Sequence, residues 1–358
     1  MKTFHCDACG QQVFFENVRC EACGHALGYV PERAEVMAFE ADPEGHWLAV
    51  RGAGPRHYKP CRNYAVENVC NWMLPADDPQ ALCPSCQLTR VIPALGQEDN
   101  RQRWFQIERA KRRLYYTLAL LGLPLDSRQT DPHQGLAFEF REQIEDGPVV
   151  HTGHSDGVIT LNIAEADDAY RERMRTELGE PYRTLLGHLR HESGHYYFMR
   201  LMREGPLLEA CRQCFGDDRE DYAAALRRHY QNGPPADWEQ THVSAYATMH
   251  PYEDWAESWA HYLHMVDTLE TAQACGLSLA PAHPDQPSLA ADGEAVVQAG
   301  FNDLIGRWFP LTYVLNSLNR SLGQPDGYPF TLATPVIEKL RFVHQVILGH
   351  RARPTLAD

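Results

Sequence analysis

Residues 184–202 read TLLGHLRHESGHYYFMRLM, and within them His191-Glu192-Ser193-Gly194-His195 places two histidines four residues apart with a glutamate next to the first. On a helix, positions four apart share one face. His191 and His195 then converge on one point where a divalent metal can sit, with Glu192 beside it. Zn²⁺ suits such a pair, because it accepts imidazole nitrogens and keeps one position open for water. It lowers the pKa of that water to about 7, and a neighbouring carboxylate can take the proton. The pattern alone recurs by chance, so the surrounding residues must decide. Leu185, Leu186, Leu189, Tyr196, Met199 and Met202 keep an apolar face at helical spacing. No proline interrupts the run, and Gly205-Pro206 ends it. Gly187 and Gly194 each cost a helix about 1 kcal/mol against alanine, which implies close approach of another backbone. The competing reading is a core helix with two incidental histidines.

The rest of the composition limits the class. A chain of 358 residues with 44% apolar and 23% charged residues is long enough for two or three domains of a soluble globular protein. No run approaches the roughly 18 apolar residues of a membrane helix. The start, MKTFHCDACG, lacks the apolar stretch of a secretory signal, so a cytoplasmic location and no membrane partner are expected. A net charge of −15 argues against a general nucleic-acid binder.

Eight of the eleven cysteines fall in the first 86 residues. In a reducing compartment that clustering indicates metal rather than disulfides. Cys6-x-x-Cys9 and Cys20-x-x-Cys23 are near copies, CDACG and CEACG, and four such thiolates make a closed structural zinc site. Iron is the alternative metal for an S₄ site. Cys61, Cys70, Cys83 and Cys86 are spaced less regularly and are read as a second Cys₄ site rather than free buried thiols. Weakly alternating strands fill the space between, with turn signals at Asp42-Pro43 and from Gly52 to Pro55. A segment this rich in ligands is expected to need its metal to fold. Residues 1–95 carry 8 Lys and Arg against 11 Asp and Glu. That balance points to contact with a protein partner or a structural role, not to nucleic acid.

Residues 91–100 read as a linker, and 101–121 as a helix with Trp104, Ile107, Ala110, Leu114, Tyr115, Leu118 and Leu121 on its apolar side. Arg109, Lys111, Arg112 and Arg113 are expected to form a solvated face. Residues 136–143 alternate like a strand, and VVHTGHSDGVITLNI reads as a hairpin turning at HSDG. An edge strand there can pair with extended substrate backbone. His154 is expected to be an exposed turn histidine. Cys211 and Cys214 sit in a helical run and read as ordinary thiols.

Candidates for a third ligand lie in VSAYATMHPYEDWAESWAHYLH, which reads as a helix after Pro251 with Glu253 and Glu257 four apart on one face. Glu253 as ligand and Glu257 as the acceptor of a histidine's second ring N–H is a sound chemical pair. The arrangement resembles the gluzincin metallopeptidases. In that group the first acid of the second helix binds zinc and the second buttresses a histidine. The resemblance implies His191, His195 and Glu253 as zinc ligands, Glu192 as general base and Glu257 as support. The interval of 57 residues between His195 and Glu253 is longer than in thermolysin-like enzymes, which leaves Glu257 open as the ligand. Tyr246 is the match for an oxyanion donor, with Tyr252 and His250 as alternatives. More narrowly, GEPYRTLLGHLRHESGHYY, the Glu253 stretch and NSLNRSLGQPDGYPF resemble the bacterial zinc-binding metallopeptidases that carry an N-terminal zinc-ribbon region. This resemblance covers nearly the full length.

The expected architecture is α+β, with a zinc-ribbon region over 1–95 holding two structural zinc ions. A mostly helical metallopeptidase domain with a small edge sheet follows over 100–358 and holds one catalytic zinc. The expected activity is hydrolysis of a peptide or protein substrate. The alternative from another class is a non-catalytic interaction module, in which the ribbon recruits a protein and the histidine pair is structural or silent.

Overall fold

The computed structural model describes residues 1–43, 46–51, 57–145, 147–202, 205–283 and 285–351. The turn expected from Gly52 to Pro55 lies outside them. The cysteine-rich part opens with β1 (Phe4–His5) and β2 (Gln12–Val13), paired antiparallel. A five-stranded antiparallel meander follows in chain order: β3 (Ala26–Val30), β4 (Glu35–Ala41), β5 (Trp47–Ala49), β6 (His57–Pro60) and β7 (Met73–Pro75). One-turn helices α1 (Arg62–Ala65) and α2 (Pro84–Gln87) begin just after Cys61 and Cys83. The architecture is α+β: a zinc-ribbon region with clustered cysteines, then a mostly helical domain with a small sheet.

The two parts share a strand and a helix. Strand β8 (Thr89–Val91) leaves the cysteine-rich part and pairs in parallel with β9 (Ala137–Arg141). The hairpin β10 (Gly153–Ser155) and β11 (Val158–Asn162) completes a sheet of order β10-β11-β9-β8. Its turn is Asp156-Gly157, both with positive φ, which is what a two-residue type I′ turn requires. Val91, expected in a linker, is therefore a strand residue.

Helix α3 (Asn100–Leu120) runs between the two cores. Trp104, Ile107, Leu114 and Leu118 pack in the larger core, while Tyr116 packs with Phe15 and Tyr29 of the smaller one. A helix apolar on two sides has little surface left for charge. Lys111 and Arg112, expected on a solvated face, are 1% exposed. Each has partners: Lys111 Nζ lies 2.9 Å from a Glu108 carboxylate oxygen and donates to Thr89 Oγ1 at 2.5 Å. Arg112 donates to the Val69 carbonyl at 2.5 Å. Arg109 stays exposed, and Arg113 pairs with Glu16 across the two parts.

After α4 (Asp168–Glu177) come α5 (Leu185–Leu201), α6 (Pro206–Phe215), α7 (Tyr222–Asn232), α8 (Pro251–Ala274), α9 (Phe301–Ser321) and α10 (Thr334–Arg351). Cys211 and Cys214 lie in α6 as free thiols. No helix among the described residues is long and apolar enough to cross a membrane. The buried Lys111–Glu108 pair gives a test of the shared helix. Lys111→Met would strand the Glu108 charge inside the protein and is expected to cost about 3–5 kcal/mol. Urea unfolding checks this, and a loss below about 1 kcal/mol would show that Glu108 does not depend on Lys111.

Candidate metal centre

Helices α5 and α8 build the site by touching closely. Thr184 caps α5, its hydroxyl accepting from Gly187 N at 2.9 Å. Nearly two turns into the helix comes His191. At Gly194 an added Cβ would lie 2.9 Å from the Ala256 Cα of α8 and 3.2 Å from Trp259. The helices can therefore approach only because residue 194 has no side chain. Gly187 differs from expectation: an added Cβ there would meet Thr184 Oγ1 at 3.0 Å and the Tyr182 ring at 3.3 Å, not another helix. Trp255 and Trp259 lock the contact, donating from their indole nitrogens to Gly194 O at 2.8 Å and Ser193 Oγ at 3.1 Å.

The contact brings Glu253 Oε2 to 3.0 Å from His191 Nε2 and 3.3 Å from His195 Nε2. A tetrahedral ion with ligands about 2.05 Å away separates them by about 3.3 Å. Glu253 is 2% exposed, and its Oε2 has no hydrogen bond. A carboxylate oxygen buried without a donor is costly, and a cation held by these three atoms removes that cost. Donor set and spacing both fit zinc.

Around this trio sits a supporting set. Glu257 Oε1 is 2.6 Å from His191 Nδ1, and Ser244 Oγ donates to Glu257 Oε2 at 2.6 Å. Tyr222 donates its phenol proton to Glu253 Oε1 at 2.8 Å. His195 Nδ1 has no hydrogen-bond partner among the described residues. Its ring is held by packing instead, with Tyr252 stacked on it at 4.2 Å and His154 near parallel at 6.3 Å. His154 is thus a strand residue, half-buried beside the site rather than exposed in the turn, and burial lowers its pKa to about 4. His250 is turned away: it caps α8, accepting from Tyr252 N through Nδ1 at 3.0 Å, with Nε2 3.1 Å from Glu220 O.

Charge follows the geometry. Burial pushes the Glu253 carboxyl up, but the imidazoles of His191 and His195 beside it outweigh burial and leave the group below the usual carboxylate range. Burial lowers His191, yet the two carboxylates on either side of its ring, Glu253 and Glu257, hold it well above its ordinary value. A cation at this point would take the place of any proton on the His191 nitrogen that faces Glu253, because an imidazole binds metal through an unprotonated nitrogen.

The cysteines form two further groups, Cys6, Cys9, Cys20 and Cys23, and Cys61, Cys70, Cys83 and Cys86. Cys6–Cys23 and Cys9–Cys20 sulfurs are 3.6 Å apart and Cys70–Cys83 sulfurs 3.8 Å. Four thiolates about 2.3 Å from one zinc stand about 3.8 Å from each other. All eight are free thiols.

Sequence reasoning missed Tyr222 and Ser244. Tyr222 is 31 residues from the acid it holds, and no spacing rule joins them. Ser244 lies within the quoted Glu253 stretch but 13 residues from Glu257, beyond any helical interval.

Fold and donor groups together are those of a zinc-binding protein, with two cysteine clusters in the first part of the chain and a His/His/Glu group in the second that could each hold an ion. The chain belongs to the family described as "Putative zinc-binding metallo-peptidase", whose model matches residues 100–346, and residues 3–97 match a zinc-ribbon domain. Uncharacterized proteins of Mycobacterium bovis and of two strains of Mycobacterium tuberculosis are 44% identical to it over 348 residues, 97% of this chain and 95% of theirs. No solved structure matches it.

Glu253→Gln is expected to weaken zinc at this centre far more than Glu257→Gln, whose loss should fall within the roughly 10–100-fold typical of a supporting acid. Competition against a zinc-sensitive dye reads both, and the reverse order would exchange their roles.

Proposed function

We propose that the chain is a zinc-dependent peptidase that hydrolyses peptide bonds of a peptide or protein substrate. The observation that supports it is the buried, donorless Glu253 Oε2 lying 3.0 and 3.3 Å from two imidazole nitrogens. Two imidazoles and one carboxylate are the donor set of catalytic zinc sites that keep a position open. Zinc bound by His191, His195 and Glu253 supplies a Lewis acid for the scissile carbonyl and makes water acidic enough to lose a proton near neutral pH.

The chain's own residues do the rest. Glu192 takes the proton from water and returns it to the leaving amine. Its carboxylate is 8% exposed, and Oε2 has no hydrogen-bond partner among the described residues, so that oxygen is free to accept the proton. Tyr246 has its ring 6.1 Å from that of His191. Burial and the Glu253 charge hold its phenol far above the usual range, so it serves as a donor to the developing oxyanion. Tyr252, stacked on His195, is the alternative donor. Glu257 and Ser244 fix the His191 ring. The outer edge of β10, at the end of its sheet, is where an extended substrate backbone adds as a strand.

Under this reading the two Cys₄ groups hold structural zinc and the ribbon braces the catalytic part, with any protein partner meeting it there. Its net excess of acids weighs against nucleic acid as its partner. Eight thiols kept for metal fit a cytoplasmic location.

The native chain is expected to hold three zinc ions, and His195→Ala two. Two ions in both proteins would remove the catalytic site from the reading and favour an interaction module. Glu192→Gln should keep all three and lose turnover of a mixed peptide library by about 10²–10⁴-fold. Retained turnover would end the general-base role.

A further inference from the structure

Beside the metal centre lies a cleft of about 620 Å³ whose lining includes His191, Glu192 and Glu257. Val150, His151 and Thr152, next to the edge strand, also line it. Further along α8 its end is walled by rings: Tyr182, His261, His264 and Phe330. Its place follows from helix geometry. His261 is four residues and His264 seven residues beyond Glu257 on α8, so their backbones stand about 6 and 10 Å further along the axis. On α5, Gly187 is four residues before His191 and borders the same space. That interval is the distance of one substrate side chain from a bond cleaved at the metal.

The walls are built and the room is kept. Phe330 packs edge-on against His261 at 4.4 Å, and Tyr182 lies 5.5 Å from His264. His261 is fixed from behind, its Nδ1 2.8 Å from Tyr328 OH. Among the helix positions that line the space, Ala260 on α8 carries only a methyl group, between Glu257 and the two histidines. The charges nearby are already matched: Arg183 with Glu165 and Glu180, and Arg190 with Asp267. Burial lowers His261 to about 4 and His264 to about 3, so both rings are neutral at pH 7. The carboxylates of the cleft, Glu192 and Glu257, lie at the metal centre, and the part walled by Tyr182, His261, His264 and Phe330, with Ala260 beside it, is suited to a flat, uncharged ring.

We propose that this end of the cleft is a specificity pocket that receives an aromatic side chain of the substrate adjacent to the scissile bond. The assignment of a substrate rests on the peptidase reading above, but the pocket itself is testable without turnover. The selection is expected to come from ring-on-ring contact with Phe330 and Tyr182, and from the depth that Ala260 leaves open.

The test uses zinc-loaded Glu192→Gln full-length protein and three probes, N-acetyl-phenylalaninamide, N-acetyl-alaninamide and N-acetyl-lysinamide, titrated while imidazole resonances are followed by NMR. The phenylalanine probe is expected to bind at least tenfold tighter than the other two and to shift the His261 and His264 signals. Phe330→Ala in the same background should reduce that preference at least fivefold. Ala260→Leu should abolish it, with circular dichroism confirming that each variant is folded. Equal binding of the phenylalanine and alanine probes, tightest binding of the lysine probe, or a preference that survives both substitutions would overturn the pocket. Wild-type protein incubated with a peptide library separates the two readings. Selective binding without hydrolysis keeps the pocket and removes the peptidase. Hydrolysis with no preference for aromatic residues keeps the peptidase and removes the pocket.

Discussion

The approach of α5 to α8 at Gly194 and Ala256 is the constraint on which the rest depends. Helix axes pack about 8–10 Å apart according to the side chains between them. With a glycine at the crossing, the ligands on the two helices meet at 3.0 and 3.3 Å. A methyl group at residue 194 would push directly on the Ala256 backbone, and the three ligand atoms would part together. The glycine's cost in helix propensity, about 1 kcal/mol, is thus exchanged for a preformed ligand set. Trp255 and Trp259 flank the contact and are 0% exposed, so the spacing is set by packed indoles rather than by the metal alone.

The two histidines are oriented by different physics. His191 has a relay of hydrogen bonds, through Glu257 to Ser244, that fixes its tautomer. His195 has no such relay among the described residues and is oriented by ring contacts from Tyr252 and His154. These two rings come from α8 and from the edge strand, so the centre also registers how the small sheet sits on the helices. The sheet in turn includes β8, whose chain has just left the second cysteine group. The ribbon is in this way continuous with the wall of the cleft, and α3 ties the same two parts with Lys111 and Arg112 buried at the seam.

Much of this was legible in the sequence because it is local. The histidine pair, the two acids on the later helix, the paired cysteine knuckles and the Asp156-Gly157 turn are each written within five residues, and the structure brings them together as their spacing implies. What was not legible depends on contacts remote in the chain. Lys111 and Arg112 look like a solvated face until one knows that α3 has a core on either side. His154 looks exposed until the strand turns its ring toward His195. Tyr222 and Ser244 are ordinary polar residues whose partners are fixed only by tertiary packing. Gly187 shows the same limit in a milder form: a helical glycine announces a close neighbour but not whether that neighbour is backbone or ring.

The cluster of polar atoms without hydrogen bonds completes the argument about preorganisation. Glu192 Oε2, His195 Nδ1 and Glu253 Oε2 are all buried and all lack partners among the described residues, and all belong to one site. Other buried polar atoms without partners are spread through the chain, among them Tyr58 OH and Trp72 Nε1, but these three face one point, where a cation would offset a cost of a few kcal/mol. The cost is tolerable because it is borne by the two helices most firmly packed in the molecule, through Trp255, Trp259 and the Gly194 contact. A looser scaffold would relax, letting Glu253 turn toward water and leaving the imidazoles apart. Here the side chains cannot move away from one another without opening the tryptophan core, so the energy of that core holds the donors ready for the ion.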